Sequence, residues 1–206
     1  MKPFLPSELV QQLIRTRRSV RHFSPAAIPS EILERILETA TWAPSAHNRQ
    51  PWRFVVLRTV EARGRLAEGM GAAFRQDLLA DGHAPEEVEA SVDRSQQRIL
   101  SAPAAILLCL DMKLGDVYPD PVRQQAEYLM GVQSVALAGG TLLLAAHAEG
   151  LGGVWVCAPL FARNAARRAL ELPAEWEPQG LIFLGYPEKT PDIRPRVPLA
   201  TVTWYL

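Results

Sequence analysis

Residues 17–23 read Arg-Arg-Ser-Val-Arg-His-Phe, and residues 44–52 read Pro-Ser-Ala-His-Asn-Arg-Gln-Pro-Trp. The first stretch places three guanidinium groups and a hydroxyl within five positions, a pattern that suits a phosphate or another compact anion. The second stretch holds short polar side chains between two prolines, which is incompatible with an ordinary helix. Together they predict an anion-binding segment that is followed, about 20 residues later, by a rigid polar loop.

Each stretch also has a simpler interpretation. Arginines near the carboxyl end of a helix complement the helix dipole without binding a ligand. A proline-bounded loop can join a helix to a strand, with Asn48 and Gln50 making local turn hydrogen bonds. The two stretches in this order and at about this spacing resemble the two flavin-contacting segments of the nitroreductase family, and the joint pattern favours the flavin interpretation.

The resemblance covers residues from about 15 to 196 and implies FMN as the cofactor, with NADH or NADPH as the reductant. It implies that the flavin lies at the interface of a homodimer and is contacted by both chains. The residues that it implies at the flavin are Arg17, Arg18, Ser19, Arg21, Pro44, Ser45, Ala46, Asn48, Gln50, Arg98, Gln133, Cys157, Ala158, Arg194 and Arg196.

In this resemblance the polar loop lies against the flavin ring and the ribityl chain, through Ser45 and Asn48, with Gln50 nearby. Ala46 stands where family members commonly have a second serine, so no side-chain hydrogen bond is implied there. His47 is either a substrate contact or a structural loop residue. Because neither reading follows from the sequence, both stay open.

The segment 150–159 resembles the family segment whose backbone passes the flavin edge, so that N–H groups near Cys157 and Ala158 reach flavin N5. The apolar neighbours of Cys157 predict a buried, neutral and inert thiol rather than a redox role.

Arg98 has two interpretations, a cation beside flavin N1 and O2 that stabilises the reduced ring, or a solvated helix face. The resemblance implies that Gln133 and Ser134 face the flavin or the partner subunit. It also implies that Arg194 or Arg196 completes the phosphate site.

Hydrophobic periodicity predicts an α+β fold of strands separated by helices. Helices are predicted at 7–17, with Ser7 as N-cap, at 30–43 and at 121–149, where Gly139 and Gly140 need a close-packing reason. Strands are predicted at 53–58, 104–110, 154–157 and 181–184, and the tail 200–206 is strand-like. The resemblance implies a nitroreductase-like sandwich, with a mostly antiparallel central sheet between helices and two intertwined subunits.

The chain is predicted to form a single domain over residues 1–206. Segment 61–100 is mostly charged and helical in pattern, broken at 81–85. Because its core signal is the weakest of the chain, it is the predicted lid or substrate-specificity segment.

Composition excludes several function classes. Lys plus Arg and Asp plus Glu are 22 each, so the overall charge gives no reason to expect nucleic acid or an anionic membrane surface as a partner. Cys109 and Cys157 lack the spacing of a zinc site or a disulfide framework, and no metal site is expected. The start of the chain has no apolar stretch long enough for a signal peptide, so a cytoplasmic location is expected.

The leading functional hypothesis is an FMN-dependent NAD(P)H oxidoreductase that reduces a flat, electron-poor acceptor, such as a nitroaromatic or a quinone, by ping-pong hydride transfer through flavin N5. Residues 154–161 and 172–178 are similar to the reductase domain of the bifunctional deazaflavin-coenzyme ligase, which makes a stand-alone reductase of a dehydro-deazaflavin precursor the main alternative. A flavin-cleaving enzyme of cobalamin biosynthesis shares the fold. A non-catalytic dimer that stores flavin is the alternative of another class.

Overall fold

Six α-helices and four β-strands make up the regular structure of residues 6–206, the part of the chain that the computed structural model describes. The helices are α1 (Ser7–Thr16), α2 (Ser30–Ala40), α3 (Val60–Ala80), α4 (Pro85–Ser101), α5 (Pro121–Ala148) and α6 (Arg163–Ala169). The strands are β1 (Trp52–Leu57), β2 (Ala104–Asp111), β3 (Gly152–Val156) and β4 (Trp176–Gly185).

The four strands form one sheet in the order β1-β2-β4-β3, and every neighbouring pair is antiparallel. All eight residues of β2 are buried, because helices cover both faces of the sheet. Alternate β2 residues therefore enter two different cores. The predicted α+β architecture, with an antiparallel sheet flanked by helices, is confirmed.

The first core lies between the sheet and helices α2 and α5. Ile106, Leu108 and Leu110 of β2 meet Leu33 and Ile36 of α2 there. The 28-residue helix α5 is long and apolar enough to cross a membrane by composition alone. In this structure it instead packs along the sheet, and it buries Val135, Ala138 and Leu142 against the strands.

The second core lies on the opposite face, under helices α3, α4 and α6. Leu66 and Met70 of α3 and Ile99 of α4 pack there against Leu107 and Cys109. Segment 61–100 therefore contributes buried residues to the core although its core signal in the sequence is the weakest of the chain. Its charged residues occupy the solvent faces of two antiparallel helices whose inner faces are buried. The lid or specificity role of this segment stays a prediction.

Two predictions of local structure are wrong. Ser7 is the first residue of α1 and not its N-cap; Pro6 precedes the helix, and no side chain caps it. The tail 200–206 forms no strand. It contains a short 3₁₀ turn at Leu199–Thr201 and otherwise extends with its apolar side chains exposed.

Candidate functional site

An open cavity of about 1280 Å³ lies along the side of α5 that faces away from the sheet. Its floor is apolar and is formed by one side of α5 from Gln133 to Leu144. The end of α1 and residues 193–196 form its walls. Residues 193–196 belong to the carboxy-terminal arm, which is the segment 191–206 that follows β4 and its connecting residues. A cavity that combines an apolar floor with convergent charged groups is the usual form of a cofactor site.

Guanidinium groups gather at one end of this cavity. Arg17, Arg18, Arg194 and Arg196 line both the cavity and an adjoining recess of about 190 Å³, which Ser19 and Arg21 also line. Both candidate arginines of the arm, Arg194 and Arg196, therefore line this recess.

One acidic residue, Asp192, lines the recess together with these cations but forms no ion pair with them. Within residues 6–206, no carboxylate lies within ion-pair distance of any of these five arginines. Burial lowers the pKa of Arg17, and the positive charges of Arg18 and Arg196 lower it further. Such a group of mutually repelling cations is stabilised when an anion binds among them.

The basic segment is held in place by the sheet. The backbone N–H of Val20 donates to the carbonyl of Gly153 at 3.1 Å, and Ser19 pairs with Gly153 in a parallel bridge. A side chain at Gly152 would lie 2.7 Å from the side chain of Val20, so glycine is required for this close approach. The arginine cluster thus lies at the amino end of β3.

The polar loop 44–51 adopts an unusual backbone conformation. His47, Asn48 and Gln50 all have positive φ angles, of 52°, 53° and 52°. Asn and His occupy this left-handed region more often than most residues, but Gln rarely does, and three such residues so close together make the loop strained. Strain of this kind persists only when the surrounding contacts determine the conformation.

Two serine hydroxyls supply part of that determination. The Ser45 hydroxyl accepts a hydrogen bond from the Gln50 N–H at 3.1 Å. The Ser134 hydroxyl, on α5, accepts one from the Ala46 N–H at 3.3 Å. Ser134 is the neighbour of Gln133, which lines the cavity. This contact therefore holds the loop next to the cavity, although the residues of the loop do not line it.

The strand register brings the loop and the segment after β3 to one end of the sheet. Trp52 pairs with Leu110, Cys109 with Pro178, and Val156 with Leu181, so the start of β1 and the end of β3 are directed to the same end of the sheet. Cys157 and Ala158 follow β3 there and are both exposed. The predicted burial of Cys157 is therefore wrong, whereas Cys109 is buried and burial raises its pKa to about 12.

Arg98 is not brought to this group. It is exposed on α4, and its neighbour Ile99 packs in the core on the face of the sheet opposite α5. The structure agrees with the solvated-helix interpretation of Arg98. The other predicted residues divide into the arginine cluster with Gln133 at the cavity, and the loop 44–51 with Cys157 and Ala158 at the sheet end.

The sequence interpretation missed one charged group at the site. Arg49, inside the polar loop, pairs with Asp116 and with the buried carboxylate of Glu127 on α5. Local sequence gave no signal for this contact, since the partners lie far from Arg49 along the chain.

Comparisons with known proteins agree with this geometry. Residues 14–186 match the nitroreductase family. A Methanothermobacter thermautotrophicus protein provisionally named NADH dehydrogenase/NAD(P)H nitroreductase is 31% identical over 189 residues, which are 90% of this chain and 81% of the relative. The 5,6-dimethylbenzimidazole synthase of Rhodobacter capsulatus is 32% identical over 90% of this chain and 86% of its own. A provisionally assigned nitroreductase from Desulfovibrio desulfuricans, solved in complex with FMN, superimposes with a TM-score of 0.72 at 29% identity, covering 96% of each chain.

Proposed function

This chain belongs to the nitroreductase family, and on that premise we propose that it is an FMN-dependent oxidoreductase that uses NADH or NADPH to reduce a flat, electron-poor acceptor. One observation carries the proposal. A cluster of arginines that form no ion pairs with the carboxylates that the structure describes stands at one end of a cavity whose floor is apolar. This arrangement complements FMN, which has an anionic phosphate at one end and a flat aromatic ring at the other.

The residues present fit FMN in shape as well as in charge. The cavity volume of about 1280 Å³ is ample for a mononucleotide. Gly140 lies on the cavity floor, and a side chain added there would meet nothing within 4 Å, so the backbone of α5 is open to a flat ligand. The planar guanidinium groups of the arginines can donate bidentate hydrogen bonds to a phosphate.

In this proposal each group of residues has one task. Arg17, Arg21 and the two arginines of the arm hold the phosphate with Ser19, and the strained loop presents Ser45, Asn48 and Gln50 to the ring. The backbone N–H groups near Cys157 and Ala158 are directed at N5. When bound, FMN supplies the chemistry, since it accepts hydride from the nicotinamide and passes it to the acceptor.

We also propose that two copies of the chain enclose the flavins. None of the α1 residues is buried, although Leu9, Val10 and Ile14 form an apolar stripe beside the cavity. The arm after residue 190 is exposed as well. A second copy would cover these surfaces, complete the cavity walls and supply the second half of each flavin site. The proposed active form is a cytoplasmic homodimer of single FMN-binding domains.

A second candidate is supported by residues of this chain. Segments 154–161 and 172–178 resemble the reductase domain of the deazaflavin-coenzyme ligase, which favours a stand-alone reductase of a dehydro-deazaflavin precursor. A third candidate is the flavin-cleaving reaction of cobalamin biosynthesis, and the Rhodobacter capsulatus relative is named as a 5,6-dimethylbenzimidazole synthase. We identified no residue in this chain that favours that third reaction.

The test is a visible spectrum of the purified protein after FMN addition and desalting, under anaerobic conditions, followed by NADH and then NADPH. Retained flavin that bleaches with either nucleotide supports the oxidoreductase. Retained flavin that stays oxidised with both favours a storage dimer or a different electron donor. Loss of all flavin on desalting contradicts the proposed site.

A matched pair of double variants tests the phosphate assignment. Arg17→Ala with Arg21→Ala removes two cluster cations and should release FMN. Arg75→Ala with Arg94→Ala removes one half-buried arginine of α3 and one exposed arginine of α4, both outside the cluster, and should leave FMN binding unchanged. Full retention by the first pair would show that the cluster does not bind the phosphate.

A further inference from the structure

Arg49 joins two loops that are distant in sequence. Its guanidinium pairs with the Glu127 carboxylate on α5 and with the Asp116 carboxylate in loop 112–120, which connects β2 to α5. Glu127 Oε1 also accepts the backbone N–H of Asp116 at 3.1 Å. One guanidinium and one buried carboxylate therefore hold loop 112–120 against loop 44–51.

The charges at this junction are placed asymmetrically. The Glu127 side chain is 4% exposed, that of Arg49 is 20% exposed, and that of Asp116 is 56% exposed. A buried carboxylate needs its cation, because an unpaired buried charge is strongly destabilising. Glu127 therefore fixes Arg49 in the structure, whereas Asp116 is the partner that solvent can reach and that can move with its loop.

Arg49 lies within the strained part of loop 44–51, so its ion pairs act directly on the strained backbone. Asn48 precedes it and Gln50 follows it, and both have positive φ. Other contacts that hold this strained turn come from the loop itself, from Ser134 of α5 and from the strands, where Arg53 donates to the Gln50 carbonyl and the Asp111 N–H donates to the Pro51 carbonyl. The Arg49 side chain provides the tie that reaches a second loop, whose Val117 is 91% exposed at the same end of the sheet.

We infer that Arg49 is a positioning residue that couples loop 112–120 to the strained loop 44–51, so that a displacement of the first loop alters the geometry of the second. This inference rests on the proposed function, in which loop 44–51 lies against the flavin ring. A ligand that presses on the exposed loop would thereby adjust the groups presented to the flavin.

The experiment compares two isosteric substitutions in the same segment. Asp116→Asn removes the charge that Arg49 pairs with across the loops. Asp120→Asn is the matched control, because Asp120 is 41% exposed and its one ion-pair partner within residues 6–206 is Arg123, three residues away. Asn also serves as an N-cap for α5, so the helix start is preserved in the control.

The primary measurement is amide hydrogen exchange of residues 46–50 in the FMN-loaded protein. Several N–H groups of this loop are hydrogen-bonded, including those of Ala46, Asn48 and Gln50. We expect Asp116→Asn to speed their exchange by about twofold to fivefold, the range of a partly exposed ion pair. Asp120→Asn should leave the exchange of these amides unchanged.

A kinetic measurement separates coupling from simple loss of structure. With 4-nitrobenzoate as the acceptor, Asp116→Asn should lower kcat by a similar factor at full flavin loading, with little change in KM. Arg49→Lys keeps the charge beside Glu127 but cannot bridge two carboxylates in a planar fork, so it should reproduce the Asp116→Asn effects.

Two results would overturn the inference: unchanged exchange at 46–50 in Asp116→Asn, or equal acceleration in the Asp120→Asn control. Exchange can be measured in the flavin-free protein too, where the same pattern is expected. Failure of the wild-type protein to retain FMN would contradict the proposed function and leave the measured coupling between the loops intact.

Discussion

Gly139 and Gly140, adjacent in α5, serve different purposes. A side chain at Gly139 would lie 2.0 Å from the Trp155 ring and 2.6 Å from Leu108, so this glycine lets the helix approach the sheet. Gly140 has open space at the same position and lines the cavity. The predicted need for close packing is therefore confirmed for Gly139, whereas the surroundings of Gly140 point to a ligand.

The two glycines should respond oppositely to alanine. Gly139→Ala should lower the free energy of unfolding by about 1–3 kcal/mol, because the added methyl overpacks a rigid indole. Gly140→Ala should raise the stability of the flavin-free protein by up to about 1 kcal/mol through helix propensity, while weakening FMN binding. Urea unfolding and FMN titration measure both. Equal destabilisation by the two variants would contradict the assigned surroundings.

His147 links the arginine cluster to pH. Its ring Nε2 lies 2.9 Å from the Thr16 hydroxyl, and burial, followed by the charges of Arg17 and Arg18, lowers its pKa. Because the unfolded chain then binds the proton more readily, the flavin-free protein should lose stability as pH falls below about 6.5. Urea midpoints at pH 7.5 and 5.5 should differ less in His147→Gln than in the wild type. An identical difference in both would exclude this histidine as a source.

At the scale of elements, the α3–α4 pair shows how a charged sequence can form core. Leu66 is fully buried, and Leu79, on the same helix, is 47% exposed. Leu66→Ala should cost about 2–5 kcal/mol, whereas Leu79→Ala should stay within about 0.5 kcal/mol. Chemical denaturation of both variants measures the contrast. A small cost for Leu66→Ala would mean that this helix pair is loosely attached, as a lid would be.

The strands and long helices could be predicted because their signals are local. The run 104–110 is apolar throughout, and β2 begins at Ala104 and ends one residue later than predicted. Helix α6 could not be predicted, since seven residues rich in Ala and Arg show no apolar stripe. Its position depends on a contact with α3, which is distant in sequence. The two helices approach so closely that a side chain at Gly69 of α3 would lie 2.8 Å from the side chain of Ala169.

The same distinction applies to the candidate site. The arginine cluster and the polar loop could be predicted because each is contiguous in sequence. The pair of Arg49 with Glu127 spans 78 positions and forms only when α5 packs beside the loop. The two interpretations of Arg98 could not be separated from the sequence, because its distance from β2 along the chain does not reveal which face of the sheet its helix covers.

For the whole molecule, a single copy of the chain leaves a large amount of apolar surface exposed to solvent. The arm exposes Leu199, Val202, Trp204, Tyr205 and Leu206, each by 65% or more, and α1 exposes its own apolar stripe nearby. Soluble monomers rarely expose contiguous apolar surface of this kind. The arm also carries Arg194 and Arg196, so whatever orders the arm also orders one wall of the cavity.

A chain that ends at Val197 tests whether the exposed apolar end of the arm, residues 198–206, binds a second copy. This shortened chain keeps both arm arginines. If a second copy binds this apolar end, the shortened chain should sediment as a monomer at micromolar concentration and bind FMN at least about tenfold more weakly, a loss of about 1.4 kcal/mol. The matched control keeps the full length and replaces Trp204, Tyr205 and Leu206 with serine. If the control also dissociates, burial of these three side chains attaches the arm to the second copy. If the control stays dimeric, the other residues of the arm provide this attachment. A shortened chain that remains a dimer with unchanged FMN affinity would mean that the arm contributes to neither, and that α1 and α5 alone form the subunit contact.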